Sequence, residues 1–211
     1  MFWNKVSGFY DFFEAIYNGK VYQALGKRVA EEIEPEDIVL ECACGTGAIS
    51  KWIAPKCKTL IATDFSDGML RQAQKKCKKC PNVTIKRADL TKLNCKNDRF
   101  DKVVAGNVIH LLEDPYGALR ELERVCKPGG KIIIPTYIND ADGVNRKAVR
   151  LLEKAGANFQ RQFDMESYQK FFADAGYKKR DLLLPDWKSK RSRVMSARFR
   201  LRMRALISCC R

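Results

Sequence analysis

Val39-Leu40-Glu41-Cys42-Ala43-Cys44-Gly45-Thr46-Gly47 runs from an apolar segment, begun at Ile38, into a turn made almost entirely of small residues. Small side chains after a buried strand let a ligand approach the backbone with no Cβ in the way. The helix predicted from Ala48 to Ile53 offers free N–H groups at its N-terminus. This is the local design of a nucleotide-type site, which in a doubly wound sheet occupies the crevice where the strand order reverses.

Outward from that turn the same alternation recurs. Strands are predicted at Thr59–Thr63, Val83–Arg87, Phe100–Ala105 and Lys131–Ile134, the first three ending near Asp64, Asp89 and Asn107. Helices are predicted at Asp67–Lys79 and Tyr116–Val125, and Lys127-Pro128-Gly129-Gly130 reads as a sharp turn before the last strand. Strands alternating with helices of this length specify an α/β fold: a Rossmann-like, doubly wound, mostly parallel sheet with helices on both faces. Ahead of it, Phe9 to Ile33 carries apolar residues at helical spacing, broken at Asn18-Gly19, and is expected to form an N-terminal helical cap. Beyond Pro135, helices are expected at Val144–Ala155 and Glu166–Ala175, the latter stopped by Gly176. The C-terminal end is expected to be atypical, since only Leu182-Leu183-Leu184 and the alternating Arg198 to Arg204 suggest strands. The expected division is a cap over 1–33, a core over 34–177 and a basic segment over 178–211, within one domain of 211 residues.

Composition narrows the function classes. A hydrophobic content of 45% supports a real core. No stretch approaches the roughly 20 apolar residues of a membrane helix, and the N-terminus lacks the order of a signal peptide, so a cytoplasmic location is expected. The net charge of +15 looks like a nucleic-acid signature until it is located: twelve basic residues against two acidic ones follow Gly176. That segment suits a weak anionic partner, nucleic acid or lipid surface, because Lys and Arg neutralise phosphates without reading sequence. Nine cysteines, an odd number in a chain of this size, read as free thiols. Cys77-Lys78-Lys79-Cys80 is half of a zinc-site spacing with no second half, and no metal is expected.

Two cofactor types compete for the glycine turn. A dinucleotide fingerprint needs a third small residue for close helix–strand packing, where this chain has Ser50. Glu41 would also sit awkwardly beside a pyrophosphate, whereas a carboxylate complements the cationic methionine portion of S-adenosylmethionine.

With these residues in view, Glu41-Cys42-Ala43-Cys44-Gly45-Thr46-Gly47 resembles the first motif of the class I S-adenosylmethionine-dependent methyltransferases, in particular the group containing ubiquinone and menaquinone biosynthesis enzymes. Ala43 stands where the family has its first glycine, and the resemblance extends over about Phe9 to Tyr177. It implies a methyltransferase acting on a small-molecule acceptor by in-line displacement, with S-adenosylhomocysteine as product. It implies cofactor contacts at Glu41, Ala43, Cys44, Gly45 and Gly47; at Asp64 for the ribose diol, with Phe65 and Met69 beside it; at Asp89 and the Leu90 amide for adenine; and at Asn107 near the methionine end. Tyr10 is implied as part of a lid. The family normally closes its sheet with an antiparallel pair, for which the basic segment shows no clear pattern.

Positioning supplies most of the rate of methyl transfer, and a base is needed only for an acceptor that must lose a proton. His110, the one histidine, is a candidate base, although its place after the fourth strand suits pocket shaping better. No catalytic residue is assigned. An NAD-type oxidoreductase and a non-catalytic cofactor-binding protein acting through its basic tail remain the alternatives.

Overall fold

The structure is a computed structural model and describes residues 19–136, 160–161, 163–178 and 208–210. Five parallel strands, β1 (Ile38–Cys42), β2 (Thr59–Asp64), β3 (Val83–Arg87), β4 (Phe100–Ala105) and β5 (Cys126–Ile133), lie in the order β3-β2-β1-β4-β5. The chain winds outward from β1 to β3, then returns to place β4 on the other side of β1. That reversal puts a crevice at the carboxyl ends of β1 and β4, where ligands bind in open α/β sheets.

Successive side chains on a strand face opposite ways, so each strand serves two cores. Val39, Leu60, Ala62, Val104 and Ile133 pack under α1 (Gly19–Ala30), α2 (Ser50–Ile53, extended by a 3-10 turn at Ala54–Lys56) and α3 (Asp67–Lys76), through residues such as Leu25, Ile53 and Ala73. Leu40, Val103, Ala105 and Ile132 pack under α4 (Pro115–Val125) and α5 (Met165–Asp174), through Leu122, Tyr168 and Phe172. Each fully buried side chain of this size contributes roughly 1.5–3 kcal/mol. The Tyr168 hydroxyl donates to the Ile134 carbonyl at 2.5 Å, tying α5 to the end of β5.

The expected α/β architecture is present, with three differences in detail. Lys127 to Gly130 does turn, but inside β5: Phe100 pairs with Cys126 and Lys102 with Lys131, so the turn is a bulge opposite Asp101. Helix α3 stops at Lys76, three residues early, because Cys77 to Cys80 closes a separate turn through Cys80 N–H to Cys77 O at 2.9 Å. The basic segment also contributes a strand, β6 (Ser208–Cys210), antiparallel to β5 with Ser208 opposite Ile133. The edge of β5 is therefore paired over three residues by a segment whose sequence shows no clear strand pattern there. The helix expected at Val144–Ala155 and the strands at 182–184 and 198–204 lie outside the described residues. No helix among the described residues is long and apolar enough to cross a membrane.

Candidate functional site

The loop after β1 passes through the left-handed region three times in five residues: Ala43 (φ 51), Gly45 (φ 55) and Gly47 (φ 81). Two of these positions are glycines, which take this conformation freely; at Ala43 it costs about 1 kcal/mol. Fixed hydrogen bonds hold the loop in place. Cys44 N–H donates to Thr63 O at 2.9 Å, and Gly45 N–H donates to Asp64 Oδ2 at 2.9 Å. At Gly47 an added Cβ would lie 3.1 Å from the Ala73 Cα, so its missing side chain lets α3 pack against the loop.

Asp64 closes β2 and faces this loop. Its Oδ1 accepts from the Ser66 N–H at 2.8 Å, while the cap of α3 is Ser66, whose Oγ accepts from Met69 N–H at 3.3 Å. Asp64 is thus not serving merely as the helix cap. Gly45 donates to Oδ2 and Ser66 to Oδ1, and a carboxylate with about four lone-pair sites keeps acceptor capacity beyond these two bonds. Burial raises its pKa above the ordinary value, opposed by the Ser66, Gly45 and Phe65 amides.

These groups border a cavity of about 340 Å³. The β1 side contributes Glu41, Ala43, Cys44 and Gly45, the β2 end Asp64, Phe65 and Met69, the β3 end Asp89 and Leu90, and the β4 end Asn107. Ten of the residues singled out from the sequence therefore line one cavity. Gly47 does not line it; its role in the structure is the close packing against Ala73. Tyr10 lies outside the described residues.

Two of the residues lining the cavity carry buried polar atoms without hydrogen-bond partners. Glu41 is 1% exposed and its Oε2 has no hydrogen-bond partner; the same holds for Nδ2 and Oδ1 of Asn107. A buried charge without a partner is costly, and burial pushes the Glu41 pKa up to about 8, with the Ser50 hydroxyl opposing and the Asp64 charge adding to the effect. Asn107 takes φ 54 and donates its own N–H to Pro135 O at 2.8 Å, which places its carboxamide at the β4 end of the cavity. A ligand bearing an ammonium and further polar groups would satisfy these orphaned atoms.

His110 does not line the cavity. Burial lowers its pKa to about 4, so it is neutral near pH 7, and its Nδ1 lies 3.1 Å from Thr136 Oγ1. Neither role expected of it from the sequence, base or part of the pocket, finds His110 on the cavity wall. Phe65 is 46% exposed at the rim, with the Arg87 guanidinium 5.1 Å from its ring centroid.

Sequence reasoning missed Tyr22 and Ile49, whose places in the wall depend on how α1 and α2 dock, and Leu111 and Leu112, which end and follow a 3-10 turn at Ile109–Leu111. Thr46, inside the motif itself, also lines the cavity and accepts from Lys76 Nζ at 2.7 Å.

Comparison with known proteins gives an independent view. The pattern of the family described as "Methyltransferase domain" matches residues 40–134. The chain is 31% identical over 143 residues to a demethylmenaquinone methyltransferase of Clavibacter sepedonicus, covering 68% of this chain and 58% of that relative. The chain thus spans little more than half of the relative's length. Its fold is similar to that of a Methanococcus maripaludis protein classed as an S-adenosyl-L-methionine-dependent methyltransferase, with TM-score 0.70, 17% identity and coverage of 100% and 94% of the two chains. It is also similar to phosphoethanolamine N-methyltransferase 1 of Haemonchus contortus, solved with phosphoethanolamine and S-adenosylhomocysteine, with TM-score 0.59, 16% identity and coverage of 66% and 31%. At these identities the two solved structures establish a shared fold.

Proposed function

We propose that this chain, whose residues 40–134 match a methyltransferase domain, is an S-adenosylmethionine-dependent methyltransferase that binds its cofactor in the cavity beside the β1 loop and transfers the methyl group to a small-molecule acceptor. The observation that carries this reading is one cavity lined by Glu41, Asn107 and Asp64, in which the Glu41 Oε2 and both polar atoms of the Asn107 carboxamide have no hydrogen-bond partner within the described residues.

When bound, the cofactor supplies an electrophilic methyl group. The residues of the chain supply position. Glu41 accepts from the ammonium of the methionine portion and is drawn back to its charged form. The Asn107 carboxamide pairs with the same end. The remaining lone pairs of Asp64 take the two ribose hydroxyls. Phe65 and Met69 cover the base on one side, while Asp89 and the Leu90 amide read its edge. Ala43, Cys44 and Gly45 allow the close approach.

For the acceptor, similarity to a demethylmenaquinone methyltransferase supports a flat quinol-type ring. The proposed organisation is a helical cap over 1–33, carrying the lid residue Tyr10, a cofactor-binding core over 34–177 and a basic segment over 178–211. With twelve basic residues against two acidic, that last segment supports weak, salt-sensitive contact with nucleic acid or an anionic lipid surface. A cytoplasmic location accompanies this reading. The test is incubation with methyl-labelled S-adenosylmethionine and a reduced naphthoquinol, with a phenol and an amine as alternative acceptors. Labelled product supports the activity; cofactor binding without transfer to any of them favours a non-catalytic role.

A further inference from the structure

Arg161 lies outside the matched domain, yet it serves the loop that forms one wall of the cavity. Its N–H donates to the His110 carbonyl at 3.1 Å, and its guanidinium donates to the Leu112 carbonyl at 2.8 Å and, more weakly, to Glu113 O at 3.5 Å. One residue, 49 positions downstream of Leu112, thus satisfies three carbonyls in a four-residue stretch. Between them lie Leu111 and Leu112, both on the cavity wall. On the other side the stretch is limited by the Asp114 cap of α4, whose Oδ1 accepts from Gly117 N–H at 2.8 Å.

We infer that Arg161 is a positioning residue of the cofactor site: it holds the 110–113 turn so that Leu111 and Leu112 press against the bound S-adenosyl group. The physical basis is the planar fork of the guanidinium, which addresses two carbonyls at once; a lysine ammonium can replace one of these contacts but not the pair. Without the fork, the part-buried Leu112 carbonyl regains water only if the turn moves outward, and the two leucines move with it, whereas the exposed Glu113 carbonyl is solvated in place. This inference rests on the cofactor reading above, and its test separates the two.

The test uses the full chain, with S-adenosylhomocysteine as probe in titration calorimetry and hydrogen exchange read at the Leu111 amide, which donates to Val108 O at 2.8 Å. Arg161→Ala is expected to weaken binding about tenfold and Arg161→Lys about threefold, with faster exchange confined to the 108–113 turn. Unchanged affinity in Arg161→Ala overturns the inference. So does a loss accompanied by equal acceleration across β1 and β4, which marks a merely structural residue. If the unsubstituted protein does not bind the probe at all, the cofactor reading fails, while the exchange comparison still reports whether Arg161 holds the turn.

Discussion

Asp64 Oδ2 lies 2.9 Å from the Gly45 amide nitrogen and accepts its hydrogen bond, joining the end of β2 to the loop after β1. One side chain thereby fixes the shape of the cavity and keeps lone pairs for a ligand. Loop geometry and ligand affinity are therefore coupled through a single carboxylate.

Glu41 makes binding depend on pH. Its pKa near 8 in the cavity, against an ordinary 4.5, means that the ligand-free folded chain keeps a proton which the unfolded chain releases between those values. Its contribution to stability is therefore largest below about pH 4.5, declines by at most about 1.4 kcal/mol per unit as pH rises, and levels off above about pH 8. A ligand ammonium placed beside Glu41 favours the ionised form, so S-adenosylhomocysteine, which carries that ammonium, should bind more tightly as pH rises from 6 to 8, with proton release below pH 8. Glu41→Gln should abolish both dependences. Calorimetry in buffers of different ionisation enthalpy checks this, and a flat pH profile in the parent protein would contradict it.

The loop's left-handed residues are not equivalent. Gly47→Ala brings a Cβ to 3.1 Å from the Ala73 backbone in addition to the φ 81 strain, and should cost about 2–3 kcal/mol of stability. Ala43→Gly relieves φ 51 but loosens the unfolded chain, and should change stability by less than about 1 kcal/mol. Urea unfolding of the two variants measures the contrast. Similar losses in both would mean that the close packing of α3 is not what requires glycine at position 47.

Much of this was legible beforehand, and the misses have physical causes. The bounds of β3 and β4 match their predicted spans because each holds a short apolar or β-branched stretch, Val83 to Ile85 and Val103 to Ala105, between turn residues at Pro81-Asn82 and Ala88-Asp89 and at Asp98 and Gly106-Asn107. In the sequence the β5 bulge looks like a turn ahead of the strand, because Pro128-Gly129-Gly130 signals a reversal without telling which ladder it interrupts. β6 is Ser-Cys-Cys, too short for any alternation to show and paired to a strand far back in the chain. Tyr22 was legible as a residue of an amphipathic helix but not as cavity wall, because the docking of α1 decides that. Gly47 was assigned to the cofactor although the space it leaves is filled by α3, a contact with no local signature.

At the opposite end of the sheet, Lys102 Nζ lies 3.2 Å from Asp37 Oδ1, and both residues are under 10% exposed. Asp37 Oδ2 also accepts from Glu34 N–H at 2.7 Å, which shapes the entry to β1. Removing one partner leaves the other charge buried, so Lys102→Ala should cost about 3–5 kcal/mol. Because the pair is remote from the cavity, affinity for S-adenosylhomocysteine should be unchanged in the folded fraction. A loss under 1 kcal/mol in urea unfolding would show that water reaches the pair.

The most direct measurement is calorimetric titration of the parent protein and of Asp64→Ala with S-adenosylhomocysteine and, in parallel, with NAD. The account predicts binding of the former only, weakened at least about 100-fold by the substitution, since two hydrogen bonds to a charged acceptor at roughly 1.5–3 kcal/mol each are lost. Equal affinity in the two proteins, or a preference for NAD, would contradict it.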